Sequence, residues 1–120
     1  MRLNKIQQTA VTALEDIKAR DITVLDVRKL TSLYDTLIVA TAGSARQVKA
    51  LSQHVRDALK AAGAHIVGVE GEQSGEWVLV DAGHVVVHIM QPAVRAYYNL
   101  EELWTPPLRT RRRTKATLPA

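Results

Sequence analysis

The run Thr36-Leu37-Ile38-Val39-Ala40-Thr41 is the tightest constraint on what this chain can fold into. It is nearly continuous in apolar side chains, of strand length, entered by Asp35 and broken by Gly43-Ser44. A run that does not alternate belongs to a strand covered on both faces, and hence to the centre of a sheet flanked by helices. The chain has 120 residues, 47% of them apolar. That fits a single α/β (α+β) domain with a modest core that needs no metal or disulfide.

The rest of the chain fills in around that strand. Leu3, Ile6, Ala10, Ala13, Leu14 and Ile17 recur at helical spacing, which predicts an amphipathic helix over residues 3–19. Ile22 to Val27 reads as a strand and Lys29 to Tyr34 as a turn. Ser44 is placed to cap a second helix with the stripe Val48, Leu51, Val55 and Leu59, ended by Gly63. Strands are predicted over 64–70, 76–81 and 84–90, the last two so close that an antiparallel hairpin joins them. Pro92 suits the first turn of a helix over 93–104, and Pro106-Pro107 stops it. The order is αββαβββα, with a mixed five-stranded sheet. Residues 1–104 form the domain.

Charge separates the ends from the body. The formal +4 comes from residues 105–120, where Arg109, Arg111, Arg112, Arg113 and Lys115 meet no acid. Without those five, 11 basic residues face 12 acidic ones. A globular nucleic-acid binder shows its basic excess on the folded surface, whereas here it sits on a tail expected to be disordered in isolation. Cysteine is absent, which removes thiol catalysis and cysteine-zinc sites. The charged first 18 residues read as neither a signal peptide nor a membrane span, so a cytoplasmic location is expected.

Several pieces in a fixed order resemble one family. They are Leu25-Asp26-Val27, Leu30-Thr31-Ser32-Leu33-Tyr34-Asp35, and Ile38 through Gly43-Ser44-Ala45-Arg46-Gln47-Val48. Glu70-Gly71, Gly75-Glu76-Trp77-Val78-Leu79-Val80-Asp81, Val85-Val86-Val87-His88-Ile89 and Arg95 to Trp104 follow. Their combination, over residues 5–104, is similar to the Iojap family of ribosomal silencing factors. Departures are Ala42 and His84, where similar sequences often have Gly and Asp, and the tail, which lies outside the shared pattern.

The resemblance implies a sheet related in outline to the nucleotidyltransferase fold, often dimeric. It implies binding to the fourteenth protein of the large ribosomal subunit, which stops the small subunit from joining when nutrients are scarce. Organelle relatives act in ribosome assembly, and an assembly factor is the alternative reading. No cofactor, catalysis or membrane is implied.

Individual residues then take expected roles. Trp77, Leu79 and Asp81 alternate against Val78 and Val80, so if the valines face the core, Trp77 and Leu79 stand on the open face of the sheet. An exposed Trp-Leu pair marks a contact surface. Tyr98 joins them as an anchor, since tyrosine is enriched at interface hot spots, with Asp81, His88 and Arg95 as a polar rim and Leu100, Leu103 and Trp104 packing the last helix. The five basic tail residues have two readings, a tail that only keeps the chain in solution and one that touches ribosomal RNA phosphates. Gly43-Ser44 with Glu70 and Glu72 is the competing transferase constellation, but no Asp-x-Asp pair exists to hold metal. His84 and His88, four apart in a strand, span about 13 Å and cannot share one zinc.

Overall fold

In the computed structural model, which describes residues 3–103, six of the expected elements appear near their expected places. Helix α1 (Lys5–Asp16) starts at Asn4, whose side chain accepts from the Gln7 amide while the Gln7 side chain accepts from the Asn4 amide. This reciprocal capping box sets the start two residues later than the apolar spacing implied. Lys18, at φ 65°, turns the chain into strand β1 (Arg20–Asp26). Strand β2 (Thr36–Thr41) is buried at all six positions, as its composition requires. Helix α2 (Ala45–Ala61) begins on the Ser44 cap and buries Val48, Leu51, Val55 and Leu59.

Three strands complete the sheet: β3 (Gly68–Glu70), β4 (Trp77–Asp81) and β5 (Val85–Met90). The first is shorter than expected, because pairing with β4 runs only from Gly68 opposite Asp81 to Glu70 opposite Leu79. The spatial order is β1-β2-β5-β4-β3. Neighbours are antiparallel except at the centre, where β2 and β5 run parallel from Thr36 opposite Val85 to Thr41 opposite Met90. The mixed five-stranded α/β sheet stands as anticipated.

Helices α1 and α2 cover one face. Ala10, Ala13 and Leu14 meet the α2 stripe and the inward row Ile38, Ala40, Val78, Val80, Val87 and Ile89. The opposite face carries a smaller cluster of Val27, Leu37, Val39, Val86 and Met90. Here the structure differs from the sequence reading. The final helix is two pieces, α3 (Pro92–Tyr98) and α4 (Leu100–Leu103), separated by Asn99 in the left-handed conformation at φ 47°. Asparagine tolerates that region better than most residues. The Asn99 amide caps Arg95 O, and Val94 and Leu100 thereby fold back onto the second cluster. Among the described residues, no helix is long and apolar enough to cross a membrane.

Candidate functional site

On the sheet face opposite α1 and α2, three aromatic side chains and a histidine meet. Val78 and Val80 point into the main core, so Trp77, Leu79 and Asp81 point the other way, as alternation demands. That face is not open: Trp77 and Leu79 are half-buried and pack beside Val94 and Leu100 on the second cluster. The turn into β4 needs glycine, since a Cβ on Gly71 (φ 86°) would lie 2.1 Å from the Trp77 carbonyl oxygen.

Trp77 is held from beneath and capped from the side. Its Nε1–H donates to His88 Nδ1 at 2.9 Å. Its ring centroid lies 4.8 Å from that of Tyr98, which in turn meets Tyr97 edge-on at 4.9 Å. Such tilted and T-shaped aromatic pairs are favourable beyond their area alone. Tyr98 is 52% exposed and Tyr97 74%. The outer rings are therefore open, while the inner one is fixed.

His88 is 7% exposed, and burial pushes its pKa down to about 4. Indole nitrogen only donates, so Nδ1 must be the bare nitrogen and the proton sits on Nε2. The sign follows. A folded pKa below the ordinary 6.5 means that the unfolded chain takes up the proton first. The resulting stability is complete above pH 6.5 and is lost progressively down to about pH 4. In urea titrations, wild type is expected to lose stability across that window faster than His88→Gln, which keeps an acceptor for Trp77 but no proton site. Parallel pH profiles would refute this protonation account.

Arg95, expected on the rim, is placed elsewhere. Its side chain is 13% exposed and turned onto the edge of the sheet. Nε and Nη2 grip the Glu101 carboxylate at 3.0 and 2.9 Å, Nη2 also donates to Thr23 Oγ1, and Nη1 donates to Thr41 Oγ1 and the Asp21 carbonyl. Asp21 sits at φ 50° in the irregularity between Arg20 and Thr23, where β1 departs from regular pairing with β2. The hydrogen bonds from Arg95 hold Glu101 below the ordinary carboxylate pKa. The guanidinium thus ties α3 and α4 to β1 and β2.

The remaining expected residues are spread out. Asp81 lies at the far end of β4 from Trp77 and accepts from the Gly83 amide at 2.9 Å; burial raises the Tyr34 pKa, and the Asp81 charge adds to that. Tyr34 packs on the second cluster, and Leu33 beside it is 78% exposed. Sequence reasoning gave no contact role to Tyr97, Tyr34 or Leu33. The adjacent tyrosines, and apolar residues in a turn without periodicity, were the available signals. The Leu103 side chain, Trp104, and the tail residues Arg109, Arg111, Arg112, Arg113 and Lys115 fall outside the described residues.

The transferase constellation does not come together. Gln47 Oε1 takes the Gly43 amide at 2.6 Å, Ser44 Oγ takes the Gln47 amide, and Ser44 O takes that of Val48. The Gln47 side-chain nitrogen meanwhile donates to Ile17 O and Lys18 O, clamping α2 to the end of α1. The Gly43 and Gln47 amides are thus taken up within an ordinary helix cap, and the Gln47 side chain ties that cap to the end of α1. Glu72 is paired with Arg56 at 3.1 Å, and Glu70 lies on the edge strand β3. His84 is exposed and lies 3.5 Å from Asp35, not near His88.

Together these features define a class: a mixed-sheet α/β domain with helices over one face and a braced, partly exposed aromatic patch on the other. A family profile described as "Ribosomal silencing factor during starvation" matches residues 1–119. A Chromobacterium violaceum protein named Ribosomal silencing factor RsfS is 61% identical over 104 residues, covering 87% of this chain and 85% of that one. A crystal structure of a protein from the same organism superposes with a TM-score of 0.83 at 57% identity, covering 92% and 94% of the two chains. A more distant relative from Mus musculus, named Mitochondrial assembly of ribosomal large subunit protein 1, is 33% identical over 98 residues, 79% of this chain and 43% of that one. The chain belongs to the ribosomal silencing factor, or Iojap, family.

Proposed function

We propose that this chain binds the large ribosomal subunit through its fourteenth protein and blocks joining of the small subunit, so repressing translation when nutrients are limiting. The observation that supports this reading best is the exposed Tyr97-Tyr98 pair stacked on a half-buried, hydrogen-bonded Trp77. Aromatic anchors held rigid before binding lose little entropy on docking and are the residue types that dominate interface energies. Trp77, Leu79 and Tyr98 form the centre of the contact, with Tyr97 and Asp81 at its rim. His88 and Arg95 act beneath it, one holding the indole and the other the helix that carries the tyrosines. Blocking is steric and needs no chemistry, and the site of action is the cytosol, where the subunits are.

Co-sedimentation with separated subunits, together with the yield of joined ribosomes in the same gradients, tests the reading. Binding to the large subunit with loss of joining is expected. Binding without loss of joining, accompanied by precursor particles in a deletion strain, would favour an assembly role of the kind that the mouse relative's name describes. Removing residues 105–120 is expected to weaken binding at low salt and to flatten its salt dependence, because the five cations there would otherwise displace counterions from RNA phosphates. Binding lost at every salt concentration would instead make the tail the main site.

A further inference from the structure

On the other side of the sheet, α2 carries a constellation that the fold does not explain. A groove of about 430 Å³ is lined by Lys49, Ser52, Gln53, Arg56, Glu72 and Gln73, with Val78 among them. Ser52 is only 2% exposed, yet neither its Oγ nor the buried Arg56 Nε has a hydrogen-bond partner. Buried polar atoms are nearly always satisfied, and a helical serine usually returns its hydroxyl to the preceding turn. Two orphans, four residues apart on one helix, share this groove.

The surrounding groups hold the orphans in place without satisfying them. Arg56 Nη2 donates to Gln53 Oε1 at 2.7 Å and to Glu72 Oε2 at 3.1 Å, which fixes the guanidinium with Nε still bare. Gln53 Nε2 is engaged by Asp57. The opposite wall is the loop from Gly71 to Gly75, whose close approach leaves no room for a Cβ on Gly75, 2.7 Å from that of Ala45. Lys49, one turn before Gln53, adds a second cation to the lining, against the single carboxylate of Glu72. An N–H donor, a hydroxyl and an ammonium want acceptors with negative charge.

We propose that this groove binds the oxyanion group of a small ligand, a phosphate or a carboxylate. Arg56 Nε–H and the Ser52 hydroxyl are the donors at its floor and Lys49 the cation at its rim. The groove lies across the sheet from Trp77, so this inference does not depend on the ribosome-binding reading. The volume accommodates an anionic group with a small molecule attached to it.

The test is a ¹⁵N–¹H titration of the full chain with sodium phosphate and with sodium acetate, each against sodium chloride at equal ionic strength. Saturable shifts confined to residues 49–56 and 72–78 are expected, and the anion that produces them identifies the ligand class. Ser52→Ala and Arg56→Gln are each expected to weaken that binding about tenfold or more. Ser52→Ala should also melt no lower than wild type in chloride, having lost an unsatisfied hydroxyl. Should Arg56→Gln not fold, Ser52→Ala carries the comparison. Responses to phosphate and acetate no different from chloride, or saturable shifts that survive Ser52→Ala undiminished, would overturn the proposal.

Discussion

Arg95→Ala is expected to lower the unfolding free energy by about 3 kcal/mol, the low end of what breaking a buried ion pair costs. Low rather than high is appropriate because Glu101 keeps a side-chain exposure of 29%. The loss also strips the Thr41 hydroxyl and the Asp21 carbonyl of a charged donor. The comparison with Glu101→Gln separates the parts. That variant leaves the bonds to β1 and β2 in place, so it should cost clearly less than Arg95→Ala. Urea midpoints at constant slope measure both. Equal costs would mean that the ion pair alone matters and that the sheet hydroxyls do not. Because α3 carries Tyr97 and Tyr98, Arg95→Ala should also weaken ribosome binding without removing a contacting atom.

Trp77→Ala should reduce affinity for the large subunit more than tenfold, on the order of 2 kcal/mol for an interface hot spot. Trp77 is also part of the second cluster, so the variant is expected to be less stable. Trp77→Phe distinguishes contact from support. It keeps an aromatic face for Tyr98 but loses the Nε1–H, leaving His88 Nδ1 unmatched in a buried setting at a cost of about 1–3 kcal/mol. Phenylalanine should therefore lower stability while largely preserving binding, and alanine should lower both. Unchanged affinity for Trp77→Ala, with an unchanged circular dichroism spectrum, would remove this residue from the interface.

These two residues also mark how far the sequence could be read. Trp77 was legible because strand alternation is a local rule: Val78 and Val80 fixed the direction of their neighbours. The cover over it was not, since it depends on a backbone reversal at Asn99 that no local spacing announces. A continuous helix over 93–104 was the natural reading, and it hid the return of Leu100 to the sheet. Arg95 was assigned to the surface on its residue type. Its partners Thr23, Asp21 and Thr41 lie 54 to 74 residues away in the chain, and the carbonyl among them is presented by a local irregularity in β1. Elements written in a local pattern, the helical stripe of α2 and the unbroken apolar run of β2, were recovered nearly to the residue. The Ser52 orphan had no sequence signal at all, because an isolated serine on an amphipathic helix is ordinary.

The parallel pairing of β2 with β5 carries a consequence in time. Thr36 meets Val85 and Thr41 meets Met90, so the two central strands can join only after the whole of α2, β3 and β4 has been made. Closing so long a loop carries an entropic cost that local contacts do not repay, and pairings of this kind slow folding. The aromatic patch needs β4 beside β5 and α3 beyond it, so no emerging fragment that stops short of Tyr98 possesses it. A fragment ending before Tyr98 therefore lacks the surface on which the proposed contact depends, however much of the sheet it has already formed.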